Sequence, residues 1–100
     1  MKPGSRVYVS GPVTGLPDGN RPAFDRAAEV LAAAGLRPML PHWFVPAGAD
    51  WGAAMRRCIE TLVKCDALLL LPGWRGSRGA SLEAEIAERV GIPRYETEGI

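Results

Sequence analysis

Five consecutive apolar residues, Ala67 to Leu71, run through the chain without polar alternation. A strand with one wet face alternates apolar and polar side chains. An unbroken apolar run bounded by turn residues is expected of a strand covered on both faces of a parallel sheet. Parallel neighbours require a long crossover, which a helix normally supplies. The run therefore points to an α/β architecture, and the flanking segments meet that requirement.

Upstream, residues 6–10 (RVYVS) form a β-branched and aromatic run that stops at Gly11-Pro12. The loop SGPVTGLPDGN follows. Asn20 supplies an N-cap and Pro22 a first-turn proline, and Phe24, Ala27, Ala28, Leu31 and Ala34 share one helical face. This predicts a helix over 21–34, closed by Gly35. Residues 36–40 form a brief strand that Pro38 confines to an edge. The stretch PHWFVPAGAD reads as loop. Asp50 then caps a helix over 51–64 with the stripe Met55, Cys58, Ile59, Leu62 and Val63. Beyond the apolar run, PGWRGSRGA leads into a helix from about Ser81 to Val90, stopped by Gly91, with a last strand over 92–95.

The order β-α-β-α-β-α-β implies a flavodoxin- or Rossmann-like α/β domain of three layers, with a mostly parallel sheet and right-handed crossovers. The first and third strands are the strongest and belong in the centre, which gives the order 2-1-3-4. Direction reverses between strands 1 and 3, and ligands of open α/β sheets bind at such a switch point. The loops leaving those strands, SGPVTG and PGWRGSRGA, are the most glycine-rich segments of the chain.

Composition narrows the partners. One hundred residues make a single domain, 1–100, and 47% hydrophobic with 23% charged residues is ordinary globular usage. Twelve basic against eleven acidic residues leave a net charge of +1, which argues against a nucleic-acid polymer as partner. No apolar run approaches the roughly 18 residues of a membrane span, and no signal-peptide core is present, so a cytoplasmic location without membrane contact is expected. Cys58 and Cys65, seven positions apart on or near one helix, lie too far apart to bridge. With His42 as the lone histidine, no metal site and no cofactor are expected.

Among the carboxylates, Glu85 and Glu88 share a solvated face with Arg89. Glu83 instead shares a stripe with Ile86, Ala87 and Val90, which places it on the core side, in the first turn, at the mouth of the crevice. Such a carboxylate is a candidate nucleophile or base. It could equally interact with its own helix N-terminus and reach water.

The segment SRGASLEAEIAERVG resembles the active-site helix of the nucleoside 2-deoxyribosyltransferase superfamily. Together with SGPVTGLPDGNRPAF and CDALLLLPGW it is similar, over roughly residues 6–93, to a small bacterial and phage family of that superfamily, the DUF4406-like proteins. The resemblance implies that Glu83 is the nucleophile, attacking C1′ of a sugar to give a glycosyl-enzyme that a second base or water resolves. Gly11, Val13, Thr14 and Gly15 fall on the loop that lies along the nucleoside. Ser77 falls where the superfamily's nucleoside 5′-monophosphate glycosidases contact phosphate, and with Arg78, Gly79 and Ala80 it suits an anion. Trp74 either stacks on a base or packs against its own loop.

Two departures stand out. The superfamily's Asp eight positions before the strand-start Asp is Cys58 here, counting back from Asp66. The sequence also ends soon after strand 4, short of a segment that some relatives extend into a neighbouring subunit's site. Elsewhere Asp66 reads as structural, Cys58 as a small core residue and His42 as a loop residue. Trp43, Phe44 and Trp51 crowd a loop-rich stretch, and with the superfamily's habit of assembling sites from several subunits they suggest a homodimer or higher homo-oligomer, with residues 42–55 at the interface. The leading reading is an N-glycosidase or deoxyribosyltransferase acting on a small-molecule nucleoside or nucleotide. The alternative is a non-catalytic nucleotide- or phosphometabolite-binding module with the same pocket.

Overall fold

The apolar run is a central strand. In a computed structural model, which describes residues 1–97, β1 (Arg6–Ser10) lies beside β3 (Ala67–Leu70). Outside them stand β2 (Arg37–Met39), next to β1, and β4 (Arg94–Glu96), next to β3. The order is 2-1-3-4 and every pairing is parallel. Tyr8 pairs with Leu68 and Ser10 with Leu70, so the carboxyl ends of the two central strands finish level.

The strands of the centre serve two cores. Val7 and Val9 point to the face covered by α1 (Arg21–Ala33), where Phe24, Ala27 and Leu31 meet them with Ala67 and Leu71. The intervening Tyr8 points the other way, as do Leu68 and Leu70, toward α3 (Trp51–Leu62) and α4 (Arg78–Val90). Helices on both faces explain why Ala67–Leu71 carries no polar alternation. At the amino edge the Asp66 carboxylate accepts the Arg6 amide at 2.8 Å, a structural tie far from the switch point.

Several boundaries differ from expectation. Asn20 is left-handed (φ 60°) and makes no cap; its side-chain amide donates to the Pro12 carbonyl at 2.9 Å and fastens the first loop to the start of α1. The expected loop after β2 contains a single helical turn, α2 (Pro41–Phe44). Asp50 caps α3 as anticipated, accepting Ala53 N–H at 2.8 Å. Val63 closes no core: it is half exposed just past the end of α3.

The largest shift concerns α4, which begins at Arg78 rather than Ser81. Ser77 is its N-cap and accepts the Ala80 amide at 3.2 Å. The earlier start puts Glu83 in the second turn; the buried residues of the helix are Ala80, Glu83, Ala84 and Ala87, while Val90, its last residue, is exposed. Both cysteines are free. Among the described residues no helix is long and apolar enough to cross a membrane.

Candidate active site

Beyond the carboxyl end of β1 lies a cavity of about 240 Å³, walled by the first loop, the α2 turn, the first half of α3 and the start of α4. Its floor is Glu83, 5% exposed although it is a carboxylate. The Ser10 hydroxyl donates to Oε1 and the Tyr8 hydroxyl to Oε2, each at 2.6 Å. Tyr8 and Ser10 are two apart on β1 and therefore share a face, which is why one short strand can hold both carboxylate oxygens. Each oxygen keeps further lone-pair capacity for a ligand.

The electrostatics follow from this burial. Desolvation pushes the Glu83 carboxyl above the usual carboxylate range, against the downward pull of the hydrogen bonds from Ser10 and Tyr8. Burial, and then the neighbouring Glu83 charge, push the Tyr8 phenol well above its ordinary value, so it stays a neutral donor. Cys58 stands beside Tyr8, and burial pushes its thiol up to about 11. The thiol is therefore protonated at neutral pH and a poor nucleophile. The ionisable group suited to attack is Glu83, once it has lost its proton.

Close backbone approaches make the cavity. A Cβ on Gly11 would lie 2.8 Å from Leu71 Cβ, so glycine is what allows β1 to leave the sheet against β3. A Cβ on Gly79 would lie 3.1 Å from Met55 Sδ, so α4 comes in close to α3 and brings Met55 and Cys58 to the wall. Gly73, at φ 86°, lets the second loop turn against Pro12 of the first.

Of the residues singled out from sequence, Gly11, Val13, Thr14, Ser77, Gly79 and Glu83 line this one cavity. Gly15 does not: it turns the exposed loop at φ 82° with open space around its α-carbon. Trp74 is also elsewhere, lining a separate cleft at the ends of β3 and β4. Its indole N–H donates to Glu96 at 3.0 Å, and Arg75 lies over its ring while pairing with Glu96 at 3.4 Å. The tryptophan that faces the cavity is Trp51. Arg78 is not among the residues that line the cavity; its guanidinium lies 3.7 Å from the Trp51 ring centroid.

Sequence reasoning missed Tyr8 and Ser10, whose partner is more than seventy residues away, and underrated two others. Cys58 is a core residue and a wall residue at once. His42 lines the cavity too; its Nε2 donates to the Gly19 carbonyl at 2.9 Å and its ring meets Phe24 edge-on.

A parallel 2-1-3-4 sheet wrapped by helices in this way defines a deoxyribosyltransferase-like α/β fold. It is similar to a 2-desoxiribosyltransferase from Leishmania mexicana, with a TM-score of 0.73 at 16% sequence identity over 94% of this chain. The chain spans 65% of the length of that protein's chain. A family model described as Domain of unknown function (DUF4406) matches residues 5–94, and the chain belongs to that family. No curated protein matches it.

Proposed function

We propose that this chain is a single-domain member of the nucleoside 2-deoxyribosyltransferase superfamily that cleaves the N-glycosidic bond of a nucleoside or nucleoside 5′-monophosphate, with hydrolysis preferred over transfer. The observation that carries the reading is a buried carboxylate, Glu83, hydrogen-bonded on both oxygens at the floor of a cavity at the switch point. In its ionised form one Glu83 oxygen attacks C1′ as the C1′–N bond breaks and the base leaves with the bonding pair. Water then attacks the same carbon from the opposite face as the C1′–O bond to Glu83 breaks, and its proton passes to the departed base, releasing the sugar and restoring the carboxylate with net retention. Tyr8 and Ser10 orient the nucleophile. Ser77 and Gly79 line the end of the cavity suited to the 5′ side of the sugar. The protein acts in the cytoplasm on small molecules, as a homodimer or higher homo-oligomer.

A second reading is favoured by Cys58, a neutral thiol in the cavity wall where the superfamily carries an acid. A site with this wall, and a carboxyl that burial pushes above its ordinary range, suits a nucleotide- or phosphometabolite-binding module.

Incubation with a panel of deoxynucleosides and their 5′-monophosphates, followed by chromatography for free base, separates the two. Release is expected, and Glu83→Gln should abolish it while keeping ligand affinity within about tenfold, or 1.4 kcal/mol. Binding without release, unchanged in Cys58→Asp, establishes the binding module. If no member of the panel binds, both readings fall.

A further inference from the structure

The two edges of the sheet are not alike. At the β2 edge the Arg37 amide donates inward, to the Ser5 carbonyl at 2.9 Å. Backbone groups alternate sides along a paired strand, so the residue turned outward there is Pro38, which has no N–H to offer. At the β4 edge the Leu68 amide donates to the Pro93 carbonyl at 2.9 Å, and the Thr97 amide to the Leu70 carbonyl at 3.1 Å. Pro93, Tyr95 and Thr97 therefore turn their backbone groups to β3, while Arg94 and Glu96 turn both N–H and C=O away from the sheet. Among the described residues no strand pairs with this edge. All three residues of β4 are exposed, Tyr95 by 49%. Such an edge is a template for another strand.

The side chains decide which strand fits. Arg94 and Glu96 are two apart and share one face, and Tyr95 stands on the other. An antiparallel copy of β4 centred on Tyr95 sets Arg94 opposite the partner's Glu96. These two exchange both backbone hydrogen bonds, which uses the outward groups and no others, and Tyr95 meets the partner's Tyr95 at the closer, non-hydrogen-bonded position. Opposite charges then face each other on one side of the sheet, and two rings pair on the other. Centring the pair on residue 94 or on residue 96 instead puts like charges directly opposite, which is destabilising. Both charged side chains are already placed: Glu96 accepts the Trp74 indole N–H at 3.0 Å and pairs with Arg75 at 3.4 Å, and Arg94 reaches the Ala84 carbonyl at 3.5 Å. Little freedom is left for them to lose on association.

We infer that the β4 edge is an interaction surface for a second copy of this chain, two β4 strands pairing antiparallel about a dyad at Tyr95 so that two sheets become one. The contact is separate from residues 42–55 and from the Glu83 cavity, and it stands or falls independently of any glycosidase activity.

The test is disulfide trapping of the full chain with oxidised glutathione, read on non-reducing gels; the two native thiols are buried. Tyr95→Cys should give at least about tenfold more covalent dimer than Arg94→Cys or Glu96→Cys, because residue 95 meets its own copy while residues 94 and 96 lie opposite each other. Equal yields from all three, or none from Tyr95→Cys, overturn the inference. A second arm needs no cysteine. In analytical ultracentrifugation Arg94→Glu, which sets a like charge against the partner's Glu96, should raise the dimer dissociation constant about tenfold, and Arg94→Lys should hold it within about threefold. A constant unchanged in Arg94→Glu also overturns it. Trp43→Ser should leave the Tyr95→Cys trap intact; a trap lost in that variant assigns the contact to residues 42–55 and ends this proposal.

Discussion

Tyr8→Phe removes one oxygen from the floor of the cavity and leaves the ring that packs against Phe44. Burial raises the Glu83 carboxyl, and the hydrogen bonds from Ser10 and Tyr8 oppose that rise. A 2.6 Å hydrogen bond to a carboxylate belongs to the charge-assisted class. Such bonds contribute about 1.5–3 kcal/mol, against about 0.5–1.5 kcal/mol when both partners are neutral. The ionised form therefore loses more than the protonated form, and the midpoint of Glu83 moves further up, by about one pH unit for each 1.4 kcal/mol of difference. The cost in stability should be larger above that midpoint than below it. Carbon-13 titration of the Glu83 side-chain carboxyl in the two proteins reads the shift directly. The acid limb of the pH profile for base release should move in the same direction and by the same amount. Ser10→Ala should act likewise on the other oxygen. A midpoint that is unchanged or lower in Tyr8→Phe would refute the reasoning, because the Tyr8 hydroxyl would then not be stabilising the anion.

Glu83→Gln should make the protein more heat-stable near neutral pH. A folded carboxyl held above its unfolded value near 4.5 makes the native state bind more protons inside that window, so native stability falls as pH rises through it. Calorimetry should show the variant's gain above the window and little difference below it; a loss at every pH counts against the burial argument. Gly11→Ala should cost about 1–3 kcal/mol through overpacking. Leu71→Ala should give little of this back, since the 2.8 Å clash is with Cβ, which alanine keeps. Thermal melts of the single and double variants check this, and full recovery in the double variant would sink it. Light scattering at tens of micromolar should return a dimer or larger, because Trp43 is 54% and Trp51 37% exposed. A mass of 10.7 kDa would end that proposal.

The sheet was legible because its physics is local. An apolar run with no alternation and a proline in a weak strand suffice to order 2-1-3-4, and β1 and β3 appear where that logic puts them. Glu83 was legible as a carboxylate on a buried stripe, although Val90 was wrongly counted in that stripe. Val90 keeps the helical spacing of that stripe but is the last residue of α4 and is exposed; the cap at Ser77, which starts the helix three residues sooner than expected, was a separate miss. Tyr8 and Ser10 were hidden because RVYVS is satisfied as a strand without reference to any partner. Which hydroxyl meets which carboxylate is set by the crossover from β3 to α4, not by anything within five residues. Trp74 and Trp51 could not be told apart from composition. Both are loop-proximal indoles near arginines, and only the fold sends one to Glu96 and the other to the cavity.

The two-sidedness of β1 ties quality control to chemistry. Val7 and Val9 are committed to the α1 layer, and Tyr8 and Ser10 to Glu83. Sliding the strand by one residue exchanges the two sets. A slipped molecule would drive a phenol and a hydroxyl into a hydrocarbon layer that offers them no partner, while leaving Glu83 facing two valines, its charge unsupported. Such a molecule could not linger as a stable impostor, because the error that strips Glu83 of its hydrogen-bond donors also dissolves the core. For this strand, being folded and being competent to ionise Glu83 are one condition, enforced by a spacing of two.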